Sequence, residues 1–113
     1  MKDLARKIYR QRLVIEGIPS KAIKSQDIKK YLSGLSEVLK MITLLKPVTH
    51  QSTKYGWAGW IHWESSGAHF YAWDKPKLFF SVDIYTCKKF SNNTAIDFTK
   101  KFFYAREVVF KSI

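Results

Sequence analysis

From residue 78 to residue 86 the chain alternates so regularly that a β-strand with one buried face is the only regular element that fits. Leu78, Phe80, Val82, Ile84 and Thr86 fall on one side. Phe79, Ser81, Asp83 and Tyr85, continued by Cys87, fall on the other, because successive side chains of a strand point to opposite faces. Such a strand needs partners for its backbone and a cover for its apolar side. Residues 8–17, 57–64, 67–73 and 107–111 read as further strands, and the polar stretch 48–54 as a short strand or a loop. They are separated by turn-forming runs such as Gly17-Ile18-Pro19-Ser20, Ser65-Ser66-Gly67 and Asp74-Lys75-Pro76-Lys77. Two segments carry helical spacing instead. After Ser25, a plausible N-cap, Ile28, Tyr31, Leu32, Leu35, Val38, Leu39 and Ile42 recur on one face, in a helix that must end before Pro47. Asn92-Asn93-Thr94 opens a shorter helix carrying Ala95, Ile96, Phe98, Phe102 and Phe103.

The order β-α-β-β-β-β-α-β in 113 residues predicts a single α+β domain over residues 1–113. It is a two-layer sandwich in which both helices cover one face of an antiparallel sheet. Hydrophobic residues make up 46% of the chain, with 8 Phe, 6 Tyr and 4 Trp, so the core needs no covalent staples. The opposite face is then left aromatic, and a homodimer is the simplest way to cover it. The lone Cys87 excludes an internal disulfide framework and a multi-cysteine zinc site, and no metal is expected. With no apolar run near the ~20 residues of a membrane span, and no apolar signal core at the N-terminus, the expected compartment is the cytoplasm. Twenty Lys+Arg against nine Asp+Glu give a net charge of +11, which suits polyanions. The basic residues are scattered, however, so a solvated basic surface is the plainer reading and nucleic acid rests on charge alone.

Two stretches are more specific. Trp63-Glu64-Ser65-Ser66 lies at a hairpin, and Val82-Asp83-Ile84-Tyr85-Thr86-Cys87 closes a strand some twenty residues later. Together they resemble the self-cleavage site and the Val-Asp-aliphatic-aromatic-Thr-Cys segment of the prokaryotic S-adenosylmethionine decarboxylases, whose order of elements the chain also follows. The resemblance implies a zymogen in polyamine (spermidine) biosynthesis. A serine hydroxyl attacks the preceding carbonyl, the chain splits, and the serine becomes a pyruvoyl group that forms a Schiff base with the substrate amine. Mapped this way, the cleavage site is Glu64-Ser65, Ser65 becomes the pyruvoyl group and Cys87 donates the proton that replaces carbon dioxide. The small cationic substrate is S-adenosylmethionine, or arginine or ornithine in a diverged member, with Trp57 and Tyr71 as substrate-binding candidates. A register that aligns Trp73 with the family's tryptophan shifts the cleavage serine to Ser66. It also puts Tyr71 where the processing histidine belongs, with His69 two residues earlier as its substitute, and Ala58 where a second serine belongs.

Each residue has a plainer reading. Cys87 by type alone is a small buried hydrophobe, His69 a hydrogen-bonded structural histidine, and Glu64-Ser65-Ser66-Gly67 a polar turn. The tryptophans serve mainly in sheet packing, with one able to stack on an adenine. Two other classes of function therefore stand beside the decarboxylase: a non-catalytic homologue acting as a partner or regulatory subunit, and a basic nucleic-acid-binding module.

Overall fold

The computed structural model describes residues 2–113 and gives one six-stranded sheet flanked by two helices. In chain order the elements are β1 (Gln11–Ile18), α1 (Ser25–Val38), β2 (Thr43–Ser52), β3 (Gly56–Trp63), β4 (Ser66–Trp73), β5 (Phe79–Thr86), α2 (Asn92–Phe102) and β6 (Glu107–Ser112). The sheet is antiparallel throughout, in the order β2-β3-β4-β5-β1-β6. β1, although first in the chain, thus sits between β5 and β6. The expected fold class and order of elements hold.

Both helices lie on one face, α1 over β2 and β3, α2 over β1 and β6, in contact with each other. The alternation of β5 decides the sidedness: Phe80, Val82, Ile84 and Thr86 are fully buried beneath the helices. Phe70 and Trp63 from β4 and β3 join them, together with Ile28, Tyr31, Leu32 and Leu35 of α1. Gly34 lets α2 approach α1, since a β-carbon there would stand 2.7 Å from the Phe98 ring. Two polar groups buried in this core are paired. Tyr31 shares a 2.6 Å hydroxyl–hydroxyl bond with Thr99, and burial pushes its phenol well above the usual tyrosine range. The Trp63 indole N–H donates to Ser36 Oγ at 2.7 Å.

Several boundaries differ from the sequence expectation, each for a local reason. α1 begins one residue after its N-cap Lys24, whose backbone N–H donates to Asp27, so Ser25 is the first helical residue and not the cap. The helix ends at Val38, well before Pro47, and Ile42 lies outside it. Lys40 adopts a left-handed conformation (φ 58°), and the Met41 N–H returns to the Ser36 carbonyl at 2.8 Å, the bonding pattern of a Schellman stop. α2 stops the same way, with Tyr104 at φ 46° and the Ala105 N–H bonded to the Lys100 carbonyl. Neither stop uses glycine, the residue that announces one in sequence. Pro47 is accommodated within β2, an edge strand whose pairing with β3 shifts register on either side of Leu45; proline is tolerated at edges and bulges because it need not donate to the ladder. β1 starts at Gln11 and not Ile8.

The four tryptophans do not share the open face. Trp63 is fully buried and Trp57 packs against the core, on the helix side. Substituting Ser36→Ala leaves the buried Trp63 indole without its acceptor. It is expected to cost about 1–3 kcal/mol of stability, measurable as a lower denaturant midpoint at unchanged slope.

A candidate active site at the β3–β4 hairpin

The hairpin owes its position to three strands ending in step. Trp63 pairs with Ser66 across β3 and β4, and Ser66 pairs with Thr86 across β4 and β5, leaving Glu64-Ser65 as a two-residue turn. The neighbouring backbone pins that turn on both sides. The Glu64 N–H donates to the Ile42 carbonyl at 2.8 Å, and the Cys87 N–H donates to the Ser65 carbonyl at 3.0 Å. Gly67 lets β4 leave the turn against β3, because a β-carbon there would meet the Ile61 carbonyl oxygen at 2.4 Å.

The two candidate serines have different surroundings. Ser65 Oγ accepts a 2.9 Å hydrogen bond from Thr86 Oγ1 and donates to Met41 Sδ at 3.5 Å. Thr86, fully buried, in turn accepts from the Lys88 N–H at 3.0 Å. The Ser66 hydroxyl instead contacts the carbonyl oxygen of Ser65. That carbonyl therefore meets a hydroxyl from the following residue and a backbone N–H from Cys87. A hydroxyl and a backbone N–H thus converge on one carbonyl oxygen, the N–H being a donor able to stabilise an oxyanion there.

On the side of the sheet away from the helices, a cavity of about 730 Å³ runs up to the same hairpin, lined by Arg12, Trp60, Ile61, His62, Ser66, Gly67, His69, Asp83 and Tyr85. Arg12 forks onto Asp83, with Nε at 3.0 Å from one carboxylate oxygen and Nη2 at 2.7 Å from the other, and this bond raises the guanidinium pKa further. The His69 ring stacks on Trp60 with centroids 6.4 Å apart, and the Tyr71 hydroxyl lies 3.5 Å from His69 Nδ1.

Of the residues singled out in the sequence, Ser65, Ser66 and Cys87 come together at the hairpin. His69 lines the cavity that Ser66 also lines, as does His62, while Ser65 and Cys87 do not border it. Tyr71 is exposed further along β4. With Trp57, Ala58 and Trp73 it borders a smaller hollow of about 130 Å³. Trp57 pairs with Ala72, six residues along β3 from Trp63, roughly 20 Å at ~3.4 Å per residue. Cys87 is exposed, unlike the buried small hydrophobe its residue type suggests. Nothing in the sequence alone pointed to a role for Thr86, Met41, Arg12 or Asp83. Thr86 and Asp83 lay within the quoted strand motif, but only the strand register brings Arg12 and Met41 to the site. Among the described residues no group of three His, Cys, Asp or Glu could hold a metal ion, and no helix is long and apolar enough to cross a membrane.

A sequence model of the S-adenosylmethionine decarboxylase family matches residues 14–113. The chain belongs to that family. The crystal structure of the adenosylmethionine decarboxylase from Aquifex aeolicus VF5 superposes with a TM-score of 0.77 at 18% identity, covering 95% of this chain and 90% of that one. At that identity the likeness is one of fold. No curated protein matches the sequence. Family membership extends over β1 from Val14 onward, so the segment before it, Arg12 included, lies outside the match.

The exposed position of Cys87, the chain's one cysteine, predicts a single thiol that reacts with a disulfide reagent in the folded protein. The rate should be close to that in denaturant, whereas a protected thiol would react only after unfolding.

Proposed function

We propose that the chain is a pyruvoyl-dependent decarboxylase of S-adenosylmethionine, or of a related cationic amino acid, that processes itself between Ser65 and Ser66. The observation that carries this reading is the Ser65 carbonyl, held by the Cys87 N–H and touched by the Ser66 hydroxyl. The hydroxyl of Ser65 is engaged by Thr86 and Met41, which favours Ser66 over Ser65 as the attacking group. The same choice follows from aligning Trp73 with the family tryptophan.

In the first step Ser66 Oγ bonds to the Ser65 carbonyl carbon, the peptide C–N bond breaks, and the hydroxyl proton passes to the released amine. The Cys87 N–H stabilises the charge that builds on the carbonyl oxygen. A base then removes the Ser66 α-proton, the Cβ–O bond breaks, and the front segment leaves as a carboxylate. Water replaces the nitrogen left on the rear segment, releasing ammonia and leaving a ketone. His69, on the cavity wall with Ser66, is assigned as the base. When present, the pyruvoyl group supplies the electron sink for loss of carbon dioxide. Cys87 holds the proton delivered to the substrate α-carbon afterwards.

The cavity volume of about 730 Å³ is in the range of small-ligand sites, and Trp60, His69 and Tyr85 on its walls offer flat surfaces for an adenine. The open face that carries them also suits a second copy of the chain. Sedimentation at micromolar concentration is expected to give a dimer, and a persistent monomer would remove that role from the face.

Intact-mass measurement tests the processing directly. Two fragments are expected, residues 1–65 and a rear segment from 66 with a blocked N-terminus. Ser66→Ala should abolish the cut, whereas Ser65→Ala should still be cut. A chain that stays whole on prolonged incubation would point instead to a non-catalytic member of the family. Cys87→Ala should leave the cut intact and lower turnover by roughly 10²–10⁴, compared across S-adenosylmethionine, arginine and ornithine with thermal unfolding as the control.

A further inference from the structure

We infer that Thr86 is a positioning residue for chain cleavage, acting through the hydroxyl of Ser65 to fix the peptide group that Ser66 attacks; the inference rests on the self-processing proposed above. Thr86 is fully buried at the last position of β5, where a valine would serve packing equally well. Its hydroxyl makes two directed bonds instead. It donates to Ser65 Oγ at 2.9 Å and accepts from the Lys88 N–H at 3.0 Å. Ser65 in turn donates a hydrogen bond to Met41 Sδ, a weak acceptor, so the bond from Thr86 is the stronger constraint on that side chain. The next residue, Cys87, grips the Ser65 carbonyl through its backbone N–H.

Residue 65 is thus held at two points by two consecutive residues of β5 and its exit, the side chain by Thr86 and the carbonyl by Cys87. Two anchors on one residue fix the plane of the 65–66 peptide group. A single anchor would leave it free to rotate about the other. The acyl shift depends on that plane, because the forming Oγ–C bond and the Cys87 N–H must meet the same carbonyl. A small misplacement of reacting atoms can cost about a hundredfold in rate. In the register that puts the cut before Ser66, Ser65 stands where the family carries glutamate, so the hydroxyl pair is a local arrangement of these residues.

The test follows the appearance of fragments by intact mass in Thr86→Val, Thr86→Ser and Ser65→Ala, with and without hydroxylamine, which cleaves an ester. Thr86→Val is expected to slow cleavage by at least about tenfold, and Thr86→Ser, which keeps the hydroxyl, to restore it to near the wild-type rate. Ser65→Ala removes the link to Thr86 along with the weak bond to Met41 and leaves the Lys88 contact, so it should be slowed like Thr86→Val while still being cut. Because the defect lies in forming the ester, hydroxylamine should release no extra fragments from Thr86→Val. Thermal unfolding of the three variants guards against a folding defect, and Ser65→Ala carries the test should Thr86→Val fail to fold. Wild-type cleavage rates in both Thr86→Val and Ser65→Ala would overturn the assignment, as would an ester trapped by hydroxylamine in Thr86→Val. A wild-type chain left uncut with or without hydroxylamine overturns the self-processing itself, and the assignment with it.

Discussion

The antiparallel register of β3, β4 and β5 governs everything else in the molecule, and Trp63 locks it. Its side chain is fully buried, and its indole N–H is committed to Ser36 on α1. Sliding β3 by one residue would turn Ile61 and Trp63 out to solvent and bring His62 into the core, since side-chain direction alternates with a period of two. With Trp63 fixed, its partner Ser66 is fixed, and with Ser66 its partner Thr86. The Ser65 carbonyl then has one place to go, against the backbone N–H that follows Thr86. Core packing and the geometry of the hairpin are one constraint in this fold, and the tryptophan transmits it.

The two faces of the sheet divide the work. The helix side holds the aromatic and aliphatic core, and its few buried polar groups are each paired, as Tyr31 with Thr99 and Trp63 with Ser36. The other side carries groups that contribute little to stability. Arg12 and Asp83 are partly exposed, and pairs of that kind are screened by water and contribute at most a modest amount. Their geometry matters more than their energy. The two-point fork holds one edge of the guanidinium flat against Asp83 at the cavity wall. The Asp83 carboxylate is thereby already neutralised, so the cavity wall presents aromatic surface and the hairpin groups more than net negative charge.

Much of this was legible in the sequence, and what was not has physical causes. The alternation of β5 and the helical spacing of Ile28, Tyr31, Leu32 and Leu35 identified the layers, because burial imposes period 2 on a strand and 3.6 on a helix. The helix ends were hidden, since Lys40 and Tyr104 take left-handed conformations that a sequence announces only through glycine or asparagine. Pro47 suggested where α1 must stop, although it belongs to a bulged edge strand. At the site, Ser65, Ser66 and Cys87 were readable from the motif that contains them. Arg12 and Met41 were not, because they reach the hairpin through the pairing of β1 with β5 and the exit of α1, contacts of long sequence separation that no local pattern encodes.

The departures from the family pattern look different once the register is known. In the register that aligns Trp73 with the family tryptophan, Ala58 stands where a serine belongs and Tyr71 where a histidine does, and taken along the chain these are two separate losses. In the sheet Ala58 and Tyr71 are direct cross-strand partners. Such partners on one face have β-carbons about 4.5–5.5 Å apart, so a small residue in one position makes room for a large one in the other. The exchange of serine and histidine for alanine and tyrosine is then one coupled change at one pair, five residues along β4 from Ser66. The hydrogen bonds of the hairpin do not run through it: Ser66, the Ser65 carbonyl, Thr86 and the Cys87 N–H are connected without passing through either residue. The Tyr71 hydroxyl instead faces His69 Nδ1, so the tyrosine that displaces the expected imidazole sits against the imidazole this chain does have, two residues closer to the hairpin. Both departures therefore fall at one cross-strand pair, and the contacts that join Ser65, Ser66, Thr86 and Cys87 run beside that pair and not through it.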